Sequence, residues 1–164
     1  KYADDTFNFD EDATKDLLTG KSVTSSYEPG EVWSSKFGSL ASPYEECRAE
    51  AVGDVLCCDL DILKIFGHKA KLAQPVKYTN WLSEIRAGLM ALEFYNAEQQ
   101  KWGQAHCHAR YALLMVCLEA GQGFVTIDTV KDENGLPDLK FSLDRNKIES
   151  VGKPAVMEFL KKLQ

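Results

Sequence analysis

Residues 42–58 read SPYEECRAEAVGDVLCC, and this stretch predicts the first long helix of the chain. Ser42 is a good N-cap residue, and Pro43 suits the first helical position because its ring pre-sets the backbone angle. Glu45 follows the cap by three residues and so completes a capping-box pattern. The sequence therefore predicts a helix that begins at Ser42 and runs to about Cys58.

Three glutamates interrupt this otherwise apolar helix. Apolar positions such as Val52 and Leu56 occupy most of the circumference, which predicts burial, and a buried carboxylate without a partner is costly. Glu46 and Glu50 lie one turn apart. The uncharged members of their stripe are small, so that another helix could approach closely: Ala49, Gly53 and Cys57. Two interpretations stay open for this pair, surface charges paired with an outside Lys or Arg, and a metal or acid–base site. Glu45 fits either the capping box or a site.

A second predicted helix carries complementary groups in WGQAHCHAR, residues 102–110. His106 and Arg110 are four residues apart and share one face. His108 points to nearly the opposite side, so His106 and His108 cannot bind one ion from a helix. The chain has three histidines, and their spacing builds no complete zinc site. A histidine in a helix is also common as an ordinary core or surface residue.

The patterns elsewhere predict a mainly α-helical segment with one β-hairpin. Asn134-Gly135 is a turn signal between two β-like runs, and it places a long polar tip at 131–138. Further helices are predicted at 59–67, 80–95 and 97–120, near 144–150 and after Pro154. We divide the chain into four parts of one segment: an irregular arm (1–41), a helical core (42–120), the hairpin (123–143) and C-terminal helices (144–164).

Composition limits the classes of function. The 164 residues are 45% hydrophobic and 27% charged, which is typical of one globular domain. The net charge of −6 gives no support to nucleic-acid binding. The five cysteines include no CxxC pair, so we interpret them as reduced thiols and expect a cytoplasmic location. No apolar run is long enough to span a membrane.

Several stretches in order along the chain resemble the dipeptidyl peptidase III family of zinc-dependent exopeptidases. They are WSSKFGSLASPYEECRAEAVG, NWLSEIRAGLMALEFY, WGQAHCHAR, LEAGQGFVTI and SVGKPAVMEFLKKLQ. The resemblance covers nearly the whole chain and corresponds to the part of the catalytic lobe that follows the family's HExxGH helix. It implies a two-lobed enzyme that removes dipeptides from the N-termini of oligopeptides.

The resemblance also implies roles for single residues. Glu46 corresponds to the third ligand of the one zinc ion, beside the two histidines of HExxGH. Glu45 and Glu50 correspond to catalytic-site groups that hydrogen-bond and orient those histidines. His106 corresponds to a histidine in contact with the substrate and the transition state, and Arg110 to a substrate-binding arginine.

This chain departs from the family pattern in two respects. It contains no HExxGH, and it begins without Met and ends in a helical pattern, so we expect a segment of a longer enzyme. Alone, the segment is expected neither to hydrolyse peptides nor to hold zinc tightly. Ser34 stands where many members have Asp at the subsite for the substrate's free amino end, which leaves the substrate preference open.

Two other functions compete with the peptidase hypothesis. A non-catalytic helical interaction module would use the hairpin tip, 131–138, as its partner surface, although such a tip is commonly just a solvated loop. A carboxylate-bridged metal bundle would need Glu-x-x-His pairs, and the sequence has none. The partners expected are oligopeptide substrates and the remainder of the parent enzyme.

Overall fold

A computed structural model describes residues 1–163 of the chain, with Ala70 described by its backbone alone. The fold is mainly α-helical, as the sequence predicts. Six α-helices lie in the described residues: α1 (Trp33–Phe37), α2 (Ala41–Leu56), α3 (Leu60–Ile65), α4 (Ala73–Met90), α5 (Ala105–Glu119) and α6 (Lys153–Leu163). None of the helices in residues 1–163 combines the length and apolarity that a membrane crossing needs.

Helix α5 lies at the centre of the fold. It packs against α2 on one side and α4 on another, and α6 contacts both α2 and α5. The contact between α2 and α5 is close because small residues meet there: Ala51 and Ala109 are almost completely buried. The Cys47 thiol donates across the same contact to the carbonyl oxygen of Ala109, at 3.8 Å. This packing puts the glutamate stripe of α2 beside the first turns of α5.

Two antiparallel hairpins complete the fold. The strands β1 (Tyr95–Asn96) and β2 (Lys101–Trp102) form a short one, and β3 (Val125–Lys131) and β4 (Pro137–Leu143) form the long one. The predicted long hairpin is confirmed, with Gly135 at a φ of +79° in its turn. The short hairpin was not predicted, and it accounts for residues that were assigned to the start of the 97–120 helix.

The core forms around Trp81 and Phe124, whose rings pack edge to face at 5.8 Å. Both side chains are fully buried. Gly152 makes room for them, because a Cβ atom there would lie 2.7 Å from Cε1 of Phe124 and 2.9 Å from Cζ3 of Trp81. Burial of aromatic and aliphatic side chains of this size stabilises each by about 1.5–3 kcal/mol. The core therefore joins α4, the start of the long hairpin and the turn before α6.

The prediction that Ser42 is the N-cap of α2 is wrong. A 3-10 turn over Gly38–Leu40 runs directly into the helix, so Leu40 occupies the cap position with helical backbone angles and no side-chain cap. Ser42 and Pro43 lie inside the first turn, where the missing N–H of proline costs no intrahelical bond.

The expectation of burial around most of α2 is also wrong. One face is buried, but Val52 is 40% exposed and Leu56 is 44% exposed. The main contacts of α2 are with α5 and α6, and they leave Val52 and Leu56 partly open to solvent.

The ends of other helices also differ from those that the sequence predicts. Helix α4 starts at Ala73 rather than near Asn80, and it gives way to a 3-10 turn at Ala91–Phe94. The helix predicted near 144–150 is a 3-10 turn at Arg145–Lys147 followed by a π-helical turn at Ile148–Gly152, which leads into α6. The short helix predicted at 59–67 is confirmed as α3, and the side chain of Asp59 caps it by accepting from the amides of Asp61 and Ile62.

Candidate functional site

Two helices bring four of the predicted site residues together. Nδ1 of His106 lies 3.0 Å from Oε1 of Glu50 and 3.2 Å from Oε2 of Glu46. Nε of Arg110 donates to the same Oε1 of Glu50 at 3.1 Å. The i,i+4 spacing within each helix places the pairs in register, two acids on α2 facing two basic groups on α5. The sequence predicted both pairs, and the fold joins them.

The start of α5 fixes where His106 stands. Oε1 of Gln104 accepts a hydrogen bond from the amide of Cys107 at 2.8 Å, so Gln104 is the N-cap. The prediction that this helix begins at about residue 97 is wrong, because the short hairpin comes first and α5 begins at Ala105. His106 is thereby the second residue of α5 and projects from its first turn.

Three of these four side chains form a half-exposed face, and the fourth, the carboxylate of Glu50, lies more deeply buried behind it. The exposed fraction is 43% for His106, 41% for Arg110 and 32% for Glu46, but only 16% for Glu50. Glu50 therefore anchors the group from within, since its Oε1 accepts from both helical neighbours. His106, Arg110 and Glu46 remain accessible to a molecule that approaches from outside.

Two further acids lie behind Glu50, and the sequence patterns missed both. Asp54, one turn along α2, is buried, and its Oδ1 accepts from Nδ2 of Asn80 at 3.2 Å. Glu84 on α4 has its Oε1 fully buried. Burial, followed by the neighbouring charges, raises the pKa of Asp54 to about 7. Burial and the charges of Asp54 and Glu50 raise the pKa of Glu84 to about 8, against the opposing charge of Arg110.

Glu45 lies away from this convergence. Its Oε2 forms an ion pair with Nη2 of Arg48 at 2.6 Å, and both side chains are 45% exposed. The capping-box interpretation of Glu45 is wrong, because α2 begins at Ala41, four residues before Glu45. Its role beside the histidines of a zinc site stays a prediction.

His108, Ser34 and the tip of the long hairpin are the other features that the sequence singled out. His108 points away from the site and stacks on Trp102 at 5.1 Å and 10°, as expected from its position on the helix, and burial lowers its pKa. Ser34 is exposed on α1. In the hairpin tip, Oδ1 of Asp132 accepts from the amides of Asn134 and Leu136, so the tip is closed by its own hydrogen bonds. Its use as a partner surface stays a prediction.

All five cysteines carry free thiols. Cys47, between α2 and α5, and Cys117, farther along α5, are buried, and burial raises the pKa of each to about 12. Across residues 1–163, no three His, Cys, Asp or Glu side chains are grouped so as to hold a metal ion.

The sequence pattern of peptidase family M49 matches residues 1–164, and the chain belongs to that family. Its relatives include proteins named dipeptidyl peptidase 3. The one from Nematostella vectensis is 49% identical over the whole chain, and the human one is 51% identical over 96% of it. A more distant one from Dictyostelium discoideum is 44% identical over 89% of the chain. The chain spans about a fifth of the length of these relatives, 21–22%.

Proposed function

We propose that the longer protein containing this chain is a zinc-dependent exopeptidase that releases dipeptides from the N-termini of oligopeptides. This chain would supply one wall of its catalytic site. The observation that carries the proposal is the meeting of two acids of α2 with two basic residues of α5: Glu46 and Glu50 both contact His106, and Glu50 also pairs with Arg110. Membership of a peptidase family and relatives named dipeptidyl peptidase 3 support the same reading.

We assign Glu46 as the zinc ligand of this chain. Its carboxylate is 32% exposed at the edge of the site, so a cation held by residues outside the chain can reach it. One carboxylate and two imidazoles form a ligand set that zinc uses in catalytic sites, and the two histidines would come from an HExxGH segment elsewhere in the protein. When bound there, zinc supplies Lewis acidity and lowers the pKa of a water ligand.

Glu50 would set the orientation of both substrate-facing groups. Because Oε1 of Glu50 engages Nδ1 of His106, the other ring nitrogen, Nε2, is directed away from α2 and toward an incoming peptide. Arg110 uses Nε for the same oxygen, which leaves its terminal amino groups to bind a carbonyl or carboxylate of the substrate. Both would stabilise negative charge that develops on the scissile carbonyl.

Glu45 would act beside the metal rather than on the substrate. Its partner Arg48 is exposed and only one turn away, so the pair is worth little and can rearrange. In the longer protein Glu45 could then accept a hydrogen bond from a zinc-binding histidine and fix its ring.

The activity itself is tested on the full-length protein. A dipeptidyl-naphthylamide substrate should be cleaved in the untreated enzyme and not after exhaustive treatment with a chelator, with recovery on addition of zinc. Cleavage that survives removal of the metal would contradict the proposal. The same assay on the 164-residue chain should give no cleavage, and its dialysed form should carry no stoichiometric zinc.

We also propose that the protein works in the cytoplasm. Five free thiols in one chain suit a reducing compartment. Fractionation of cells that express the tagged full-length protein should place it with soluble cytoplasmic markers, and recovery in the secreted fraction would contradict this.

A further inference from the structure

The carboxylate of Glu50 is satisfied on one oxygen and not on the other. Its Oε1 accepts from Nδ1 of His106 and Nε of Arg110. Its Oε2 is buried and has no hydrogen-bond partner in the part of the chain that the structure describes. A buried oxygen without a donor costs free energy, so native structures rarely leave one in this condition.

A second buried oxygen of the same kind stands next to it. Oε1 of Glu84 is also buried and without a partner among residues 1–163. Interaction with the Glu50 carboxyl, by charge and by hydrogen bonding, is among the causes that raise the pKa of Glu84, which makes the two side chains neighbours. Within residues 1–163, both atoms have almost no accessible surface. Two acceptors in contact need one proton between them, and a single proton satisfies both.

The packing of α4 explains why Glu84 lies so close. Gly88, one turn after Glu84, contacts α5 directly: a Cβ atom at Gly88 would lie 2.6 Å from Cβ of Leu114 and 2.7 Å from the carbonyl oxygen of Arg110. The absence of a side chain at Gly88 therefore allows α4 to lie against α5 at the level of Arg110. This contact therefore places Glu84 in the buried region behind the site.

We propose that Glu84 is a positioning residue of the site: in its neutral form it donates a hydrogen bond to Oε2 of Glu50 and holds Oε1 of Glu50 against His106 and Arg110. The catalytic consequence of this hydrogen bond rests on the proposed function, whereas the shared proton itself does not depend on that function. Glu84 touches neither substrate nor metal; it acts through Glu50.

The charges around the pair favour a neutral Glu84. From α2 it faces Glu50 and Asp54, and from α5 it faces Arg110, with Asn80 and the Cys117 thiol also bordering this buried region. With Glu84 itself, three acids and one base meet in this buried region, so the three acids cannot all ionise cheaply. The raised pKa of Glu84, about 8, agrees with a proton that stays on this carboxyl at neutral pH. Above that pH Glu84 becomes ionised, and the hydrogen bond to Glu50 is lost.

The test uses the full-length protein with three variants. Glu84→Gln keeps a hydrogen-bond donor that cannot ionise, and Glu84→Met removes the donor at similar volume. Glu119→Met, at the exposed end of α5, is the matched control. We expect kcat/KM for the dipeptidyl-naphthylamide at about pH 7 to fall about five- to tenfold in Glu84→Met and less than about twofold in the other two. Glu84→Gln should also retain activity above about pH 8, where the wild type declines. Equal losses in the Gln and Met variants would overturn the positioning role.

Infrared difference spectroscopy tests the proton without any reference to activity. The wild type minus Glu84→Gln spectrum, at about pH 6.5, should contain the C=O stretch of a protonated carboxyl, and this band should shift in a Glu50→Gln background. A spectrum without that band would overturn the inference even if the protein proves to be a dipeptidyl peptidase. If the band is present and the enzyme cleaves no dipeptides, the proposed function fails and the shared proton stands.

Discussion

Asp54 gives the stability of this chain a pH dependence that can be worked out from its surroundings. The carboxyl is 4% exposed, and its pKa is raised from 3.8 to about 7. In the unfolded chain the group ionises near pH 4, whereas in the fold it stays protonated until about pH 7. The folded state therefore binds more protons between these limits, so stability falls as the pH rises from about 4 to about 7 and stays low above that. Each pKa unit corresponds to about 1.4 kcal/mol, which makes the full cost roughly 4 kcal/mol.

The variant Asp54→Asn removes this cost while it keeps an acceptor for Asn80. We expect it to be within about 1 kcal/mol of the wild type at about pH 4.5 and roughly 2–4 kcal/mol more stable at about pH 8.5. Urea unfolding followed by far-UV circular dichroism at the two pH values measures the difference, and Asp61→Asn, an exposed acid on α3, is the control. A stability difference between Asp54→Asn and wild type that does not change with pH would refute the reasoning.

Two further predictions concern packing and thiol chemistry. Gly88→Ala should destabilise the chain by about 1–3 kcal/mol in urea unfolding, because the added Cβ would meet Leu114 at 2.6 Å. Gly53→Ala, also within a helix but with open space around its Cβ, should be neutral or stabilise by up to about 1 kcal/mol; an equal loss in both would contradict the close approach of α4 to α5. Cys47 and Cys117 should stay unlabelled by iodoacetamide in the native chain, as mass spectrometry of the digested protein would show, because burial raises both thiol pKa values to about 12. Rapid labelling of either thiol before unfolding would contradict their burial.

The sequence could predict the parts of the site that depend on spacing within one helix. Glu46 and Glu50 on α2, and His106 and Arg110 on α5, each follow the helical repeat, so their shared faces are visible in the sequence. Which helix faces which depends on tertiary packing. Spacing left open both charges paired with an outside Lys or Arg and a metal or acid–base site for Glu46 and Glu50. The fold places both beside His106, and Glu50 also beside Arg110.

Glu84 could not be predicted, for a physical reason. A single carboxylate in the middle of α4 has the pattern of an ordinary surface charge, and its burial follows from the contact at Gly88 with Arg110 and Leu114. A glycine inside an otherwise strong helix was the one available signal, since such a residue often marks a close approach of another backbone. Asp54 was missed likewise, because its contact with Asn80 of α4 arises only from tertiary packing.

The helix ends show the limit of local signals. Ser42-Pro43 has the composition of a helix start, but the preceding 3-10 turn at Gly38–Leu40 extends the helical backbone through it. Residues 95–102 have no strong turn signal, and two pairs of residues form a hairpin that ends with Gly103, whose amide donates to the carbonyl oxygen of Phe94 at 2.8 Å. The long hairpin was predictable because Asn134-Gly135 specifies its turn directly.

The metal content of the full-length protein tests the central proposal most directly. Glu46→Ala should lose its zinc on dialysis, as measured by mass spectrometry of the metal, while Glu119→Ala retains one zinc ion per chain. Circular dichroism of both variants would establish that each is folded. A folded Glu46→Ala protein that keeps stoichiometric zinc would contradict the assignment of Glu46 as a ligand.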